Sequence, residues 1–286
     1  MRPPAPHRFS QLDVFTPVPL RGNPLAVVHD ASDLDDARMA AFARWTNLSE
    51  TTFLLPPTAE GAAGGADYRV RIFTPGGELP FAGHPTLGSA QAWLAAGGRP
   101  RQPGVVVQEC GVGLVRVRRD GTRLAFAAPP LKRSGPVDDP ALRAQVLAAL
   151  RVPADAVRAL QWVDNGPGWL AALLPDAATV RALQPDFGAM RGLKLGVVGP
   201  QTPGAATQFE VRTFVPGLGV PEDPVTGSLN AGLAQWLIGA GIAPPHYVAA
   251  QGAALGRDGR VHVDQDGEDL WIGGEVCEVV SGIVTL

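Results

Sequence analysis

The sequence predicts an α+β protein of two pseudo-symmetric domains, each a curved, mostly antiparallel sheet wrapped around a central helix. Three observations carry that prediction. The chain has 286 residues, a comfortable length for two domains. It repeats itself at close to half its length. In each half, short β-type runs surround one long helix, a pattern that builds α+β layers.

The repeat is read first, because it sets the architecture. Tyr68-Arg-Val-Arg-Ile-Phe-Thr-Pro-Gly76 matches Phe209-Glu-Val-Arg-Thr-Phe-Val-Pro-Gly217 at an offset of 141. His84-Pro85-Thr86-Leu87-Gly88-Ser89 resembles Asp223-Pro224-Val225-Thr226-Gly227-Ser228 at an offset of 139. Gln108 and Gln251 open a third similar pair, at 143. Three matches in one order argue for duplication over chance. The expected domains are residues 8–129 and 130–286, with the last strand free to return to the first. Leu131 to Pro140 reads as the linker.

The elements follow in order. Asp13 to Phe15, Ala26 to His29, Thr52 to Leu55 and Tyr68 to Phe73 are short strands. Asp33 to Trp45 has helical spacing, with Ser32 as the expected N-cap. Pro85 to Ala96 is a second helix, stopped by Gly97-Gly98. Strands return at Val105 to Gln108, Leu114 to Arg118 and Arg123 to Ala127. The matching helix of the second half is expected from Pro224 to about Gly239.

Composition excludes several classes of function. Net charge is −3 and gives no reason to expect nucleic acid. The densest basic run, Arg116 to Arg123, surrounds an Asp120-Gly121 turn and reads as a solvated face. No apolar run approaches the roughly 20 residues that cross a bilayer, and the Pro-rich Met1 to His7 does not read as a signal peptide. The expected compartment is the cytoplasm. Cys110 and Cys277 form no C-x-x-C pair, and the five histidines lack metal-ligand spacing. Gly111-Val112-Gly113 and Gly217-Leu218-Gly219 lack the third glycine of a dinucleotide fingerprint. Neither a metal nor a nucleotide cofactor is expected.

Chemistry is expected at the two repeated helix starts. Pro85 and Pro224 suit a first helical position, and Asp223 is a strong N-cap type with His84 in the equivalent place. Gly88-Ser89 and Gly227-Ser228 leave room for a ligand near the free N–H groups of a first turn, where the helix dipole favours an anion. Either helix start alone reads first as an ordinary cap; their repetition favours a site. If the halves face each other across a cleft, His84 and Asp223 bracket one substrate, and the carboxylate raises the His84 pKa. Glu50 precedes the strand Thr52 to Leu55, and spacing alone does not separate it from an exposed loop acid.

Taken together, these segments resemble the PhzF family, relatives of the diaminopimelate epimerase fold. The resemblance rests on Gly22-Asn23-Pro24-Leu25-Ala26-Val27, Asn47-Leu48-Ser49-Glu50-Thr51-Thr52-Phe53, Ile72-Phe73-Thr74-Pro75 and Glu78-Leu79-Pro80-Phe81-Ala82-Gly83-His84-Pro85-Thr86-Leu87-Gly88. Its strongest segment is Gly219-Val220-Pro221-Glu222-Asp223-Pro224-Val225-Thr226-Gly227-Ser228. It implies a cofactor-independent isomerase that moves a proton on a small carboxylated substrate between two similar domains. It implies Glu50 as the proton-transferring acid, His84 and Asp223 as its catalytic companions, and Gly83, Gly227 and Ser228 as substrate contacts. It also implies a homodimer. Two other functions stay open: a small-acid-binding member without activity, and a two-base amino-acid racemase or epimerase. The racemases of this fold carry a cysteine at each helix start, and here His84 and Asp223 are expected in those places.

Overall fold

The computed structural model describes residues 3–218 and 220–286; Gly219, which opens the second-half motif, lies outside the described residues, as does the start of the Met1 to His7 segment. The chain forms two compact units. One is Met1–Ala127 with Gly273–Leu286, and the other is Ala128–Ile272.

The first unit runs β1 (Pro6–Val14), β2 (Asn23–Val28), α1 (Asp36–Thr46), β3 (Thr51–Leu55), α2 (Ala59–Ala63), β4 (Tyr68–Thr74), β5 (Gly77–Leu79), α3 (Gly83–Ala95), β6 (Val105–Cys110), β7 (Gly113–Asp120) and β8 (Arg123–Ala127). The second runs β9 (Arg133–Pro136), α4 (Pro140–Leu150), β10 (Ala159–Asp164), β11 (Leu170–Leu173), α5 (Ala177–Ala182), β12 (Leu195–Pro200), β13 (Phe209–Val215), β14 (Val220–Asp223), α6 (Gly227–Gly239), β15 (His246–Gln251) and β16 (Gly259–Asp266). β17 (Asp269–Thr285) begins in the second unit and ends in the first, where it pairs antiparallel with β1.

The two units share one pairing scheme. β2 runs parallel to β3, β3 antiparallel to β4, and β4 takes the hairpin strand β5 and a parallel partner, β6. In the second unit β11, β12, β13, β14 and β15 repeat those relations in the same order. Each parallel pair needs a crossover, and α1, α3, α5 and α6 supply the four.

α3 packs against β1, β2, β3 and β8. Nine of its thirteen residues are buried, as its nearly all-round apolar and small sequence requires. Gly88 lets β1 and β2 approach: a Cβ there would meet Leu25 and Val14. Gly232 does the same for α6, where a Cβ would strike the Val163 carbonyl. In the first core, Phe53 meets Phe42 and Phe73 edge-on, with ring centroids 6.4 and 5.6 Å apart. In the second, Val146, Leu150, Leu170, Leu195, Val197 and Phe214 close the space under α4. No helix among the described residues is long and apolar enough to cross a membrane.

Three element boundaries differ from expectation. Asp35, not Ser32, caps α1, because its carboxylate accepts from the Arg38 N–H and so sets the start at Asp36. The expected linker contains a strand, β9, paired with β10. The third concerns the repeat. β5 pairs Glu78 with Phe73, and β14 pairs Glu222 with Phe214. Glu78 therefore corresponds to Glu222, Leu79 to Asp223, Gly83 to Gly227 and His84 to Ser228. The offset rises from 141 before the hairpin to 144 after it. Glu78 lies five positions after Phe73, and Glu222 eight positions after Phe214. His84 and Asp223 are thus not counterparts. α6 starts three residues after Pro224, and neither His84 nor Asp223 is an N-cap. Those places hold Ala82 and Thr226, neither making a side-chain cap bond.

Candidate active site

The first unit gathers Asn23, Ser49, Glu50 and His84. Asn23 opens β2 immediately after Gly22, whose N–H is anchored by the Asp13 carboxylate at 2.9 Å. Glu50 follows the left-handed Asn47 that ends α1 (φ 55°) and directly precedes β3, so the chain delivers it at the mouth of a buried strand. His84 is the second residue of α3 and is buried. Its Nε2 lies 3.5 Å from Glu50 Oε2, and its Nδ1 lies 3.4 Å from Asn23 Nδ2. The Ser49 hydroxyl donates to Asn23 Oδ1 at 3.4 Å. Gly83, first in the helix, is buried beside them.

Burial pushes the His84 imidazole down to about 3, and only a bond to the Pro24 carbonyl pulls the other way. The ring is therefore neutral at pH 7, opposite to the expectation that a carboxylate would raise it. Desolvation wins because the ring is closed off from water. The Glu50–His84 approach is accordingly not an ion pair. A carbonyl can only accept, so the bond to Pro24 takes a ring N–H, while the Asn23 amide meets Nδ1 and the Glu50 carboxylate faces Nε2.

The depressed imidazole makes a stability prediction. The unfolded chain binds a proton at His84 below about pH 6.5, and the folded chain does not. Stability from this group is fully present above pH 6.5 and is lost as pH falls toward 3, by up to about 1.4 kcal/mol per pH unit. His29, also lowered by burial and by Arg8, contributes with the same sign. Thermal melts across that window should show His84→Asn with a shallower acid slope than wild type. Parallel slopes would show that His84 is protonated in the folded protein.

The second unit gathers Asp223, Thr226, Gly227 and Ser228. Asp223 ends β14 opposite Thr213, and its Oδ2 accepts the Thr226 hydroxyl at 2.5 Å. The Thr226 N–H donates to Gln251 Oε1 at 3.1 Å. Gly227 and Ser228 are the first two residues of α6. Gln251 also ties β15 to Asn230, the fourth residue of α6, at 2.9 Å. Gln108 makes the matching tie in the first unit to Thr86, the fourth residue of α3, at 3.0 Å. These two buried glutamines, one of the repeat pairs read in the sequence, fix the first turn of each central helix to its sheet.

Sequence reasoning missed four participants. Asn165 donates to the Ser228 carbonyl at 2.8 Å, and the Trp169 indole N–H donates to Ser228 Oγ at 3.1 Å. Lys194 donates to the Pro167 carbonyl at 2.7 Å. Asn23 stood inside a recognised motif without a role. The available signal was the turn cluster Asn165-Gly166-Pro167-Gly168 before a strand, which parallels Gly22-Asn23-Pro24.

Two hollows lie elsewhere in the units. One of about 340 Å³ is rimmed by Ser32, Asp33, Leu34, Asp35 and Arg38. Another of about 130 Å³ is lined by Gln201, Glu210, Arg257 and Arg260. Ser32, Asp33 and Asp35 are exposed, and the Glu210 carboxylate is already held by Arg181 and Gln201. In each unit the start of the central helix, with its buried polar groups, is the better candidate.

Comparison with known proteins identifies the family and the fold. Residues 12–282 match the PhzC–PhzF family, described as phenazine biosynthesis-like protein. The chain is 36% identical over 267 residues to the trans-2,3-dihydro-3-hydroxyanthranilate isomerase of Pseudomonas aeruginosa, spanning 91% of each chain. It is also 36% identical over 302 residues to antisense-enhancing sequence 1 of Schizosaccharomyces pombe, spanning 96% of this chain and 98% of that one. Among solved structures, a PhzF-family phenazine biosynthesis protein of Enterococcus faecalis matches with a TM-score of 0.81 at 26% identity, covering 99% and 100% of the two chains. A hydroxyproline epimerase from Agrobacterium vitis shares the fold alone, with a TM-score of 0.58 at 14% identity over 98% and 93% of the chains. The chain belongs to the PhzF family and is an isomerase of that type.

Proposed function

We propose that this isomerase shifts a proton along an allylic or α-carbonyl carbon acid that carries a carboxylate, with Glu50 as the group that takes the proton and gives it back. The observation that carries the reading is the Glu50 carboxylate at 3.5 Å from a neutral, buried His84. A carboxylate is a weak base for carbon, so the substrate must be activated by a neighbouring double bond or carbonyl. Glu50 removes the proton from one carbon, the electron pair moves along the conjugated system, and Glu50 returns the proton to another carbon. No atom or electron is gained or lost overall. His84, held 3.5 Å away, steadies the carboxylate between the two transfers. Asp223 orients the substrate through its hydroxyl or amine, and the Gly227 N–H and Ser228 hydroxyl hold its carboxylate at the start of α6.

The cyclic dihydro-hydroxyanthranilate named for the Pseudomonas aeruginosa relative has this chemistry, and it is the first substrate to test. In D₂O, NMR of that compound with the enzyme should show loss of starting material and deuterium at one ring carbon of the product, in full or in part. A panel of cyclic and acyclic unsaturated amino and hydroxy acids extends the test. If none of them exchanges or isomerises while several bind, the chain is a small-acid-binding member and this reading is wrong. No observation favours a two-thiol racemase. Ala82 and Thr226 precede the two helices, while Cys110 lies in β6 and Cys277 in β17.

A further inference from the structure

The position that Glu50 holds in the first half is held in the second by Lys194. Thr51 pairs with Phe73 and Leu195 with Phe214, so the residues just before β3 and β12 correspond. The two differ in charge and in task. Lys194 is half-buried and its ammonium binds the Pro167 carbonyl. Lys132 Nζ stands 3.7 Å from where a side chain on Gly166 would begin. Of 24 basic residues these are the only two lysines, and both attend the loop from Asp164 to Trp169. Asp164 Oδ1 draws the same loop tight, accepting from the Gly166 and Gly168 N–H groups at 2.7 and 2.6 Å.

The loop delivers two side chains to Ser228. Asn165 is buried and donates through Nδ2 to the Ser228 carbonyl, while its Oδ1 has no hydrogen-bond partner. Trp169, also buried, donates its indole N–H to Ser228 Oγ. An indole can only donate. It therefore fills an acceptor site on Ser228 and leaves the hydroxyl proton for another oxygen. Ser228 is half-buried, so that oxygen can belong to a bound molecule.

We propose that Trp169, on the loop tethered by Lys194, is a positioning and specificity residue: it takes one of the two lone pairs of Ser228, turns the O–H outward as a donor, and so favours a carboxylate oxygen over an amine at this helix start. The proposal rests on the assignment of Ser228 to the substrate carboxylate. The test uses the full chain labelled with ¹⁵N-tryptophan, whose six indole signals are resolved by NMR. Loss of one signal in Trp169→Phe identifies Trp169. Anthranilate should move that signal, and aniline, which lacks the carboxylate, should leave it in place. Trp169→Phe should weaken anthranilate about fivefold to tenfold, the usual result of losing one hydrogen bond. Lys194→Met should weaken it severalfold, and Lys194→Arg, which can still donate to Pro167, should recover most of the loss. If Ser228→Ala weakens anthranilate but Trp169→Phe and Lys194→Met do not, this proposal falls and the Ser228 assignment stands. If Ser228→Ala binds anthranilate like wild type, both fall. An unmoved Trp169 signal with anthranilate, or an equal response to aniline, also overturns it.

Discussion

Glu50→Gln is expected to fold normally and to lose at least about 100-fold in kcat, the low end for removal of a general base. The amide is the same size as the carboxyl group and can still face His84 at 3.5 Å, so packing around β3 is kept. What it cannot do is accept a proton from carbon. KM should change little, because the amide keeps the size and polarity of the acid. His84→Asn should lower kcat less and raise KM more, since a neutral ring positions the acid without itself taking charge. Glu50→Asp gives the internal check. It retains a base but withdraws it by one methylene, and should fall between wild type and Glu50→Gln. The comparison is made on whichever unsaturated acid wild type turns over. A folded Glu50→Gln working at the wild-type rate makes Glu50 a structural residue, and the proton carrier must then be sought among other groups.

The repeat was legible because strands and their turns leave local signatures. The matched Val, Arg and Phe of β4 and β13 sit at the same places in both sheets, and the matched Pro and Gly directly follow each strand. The register of the second match was not legible. Gly88-Ser89 looks like Gly227-Ser228, but the span from Phe214 to Glu222 is three residues longer than that from Phe73 to Glu78, two of them in the connection and one in the register shift at Phe214 and Val215. Only strand pairing shows where those three residues go. Misreading them made Asp223 a helix cap, whereas it ends a strand. Glu50 and His84 lie 34 positions apart and were joined only by family resemblance; their approach depends on β3 and α3 sharing a sheet face. Asn165, Trp169 and Lys194 were invisible for a related reason. They lie far along the chain from Ser228, and the pairing of β11 with β12 brings their loop to α6. The neutrality of His84 was beyond reach, since desolvation depends on how completely the fold encloses the ring.

The repeat also supplies a matched pair of ion pairs for the second large effect. Arg71 grips Glu78 with both Nε and Nη2, at 2.8 and 2.7 Å, and Arg212 grips Glu222 in the same way at 2.8 Å for each bond. Each guanidinium also stands 5.1 Å from a counterpart ring, Phe73 or Phe214. The chemistry is the same and the surroundings differ. The first pair is partly open, with side-chain exposures of 16% and 42%, while the second is closed off at 5% and 6%. Arg212 further caps α5 by donating to the Val180 and Leu183 carbonyls. Breaking the buried pair leaves an arginine charge with no counter-ion and no water. Glu222→Gln should therefore cost about 3–5 kcal/mol. Glu78→Gln should cost about 1 kcal/mol or less, because water and Asp36 take over the contact to Arg71. Urea unfolding of the full chain, with hydrogen exchange at β13 and β4 to assign the loss to each unit, measures both. The double change Arg212→Met with Glu222→Leu should recover much of the loss, since it removes both charges and leaves apolar volume. Equal costs for Glu222→Gln and Glu78→Gln would mean that water reaches Arg212 as readily as Arg71. The clasp in the second unit would then owe its strength to geometry alone, with no contribution from its burial.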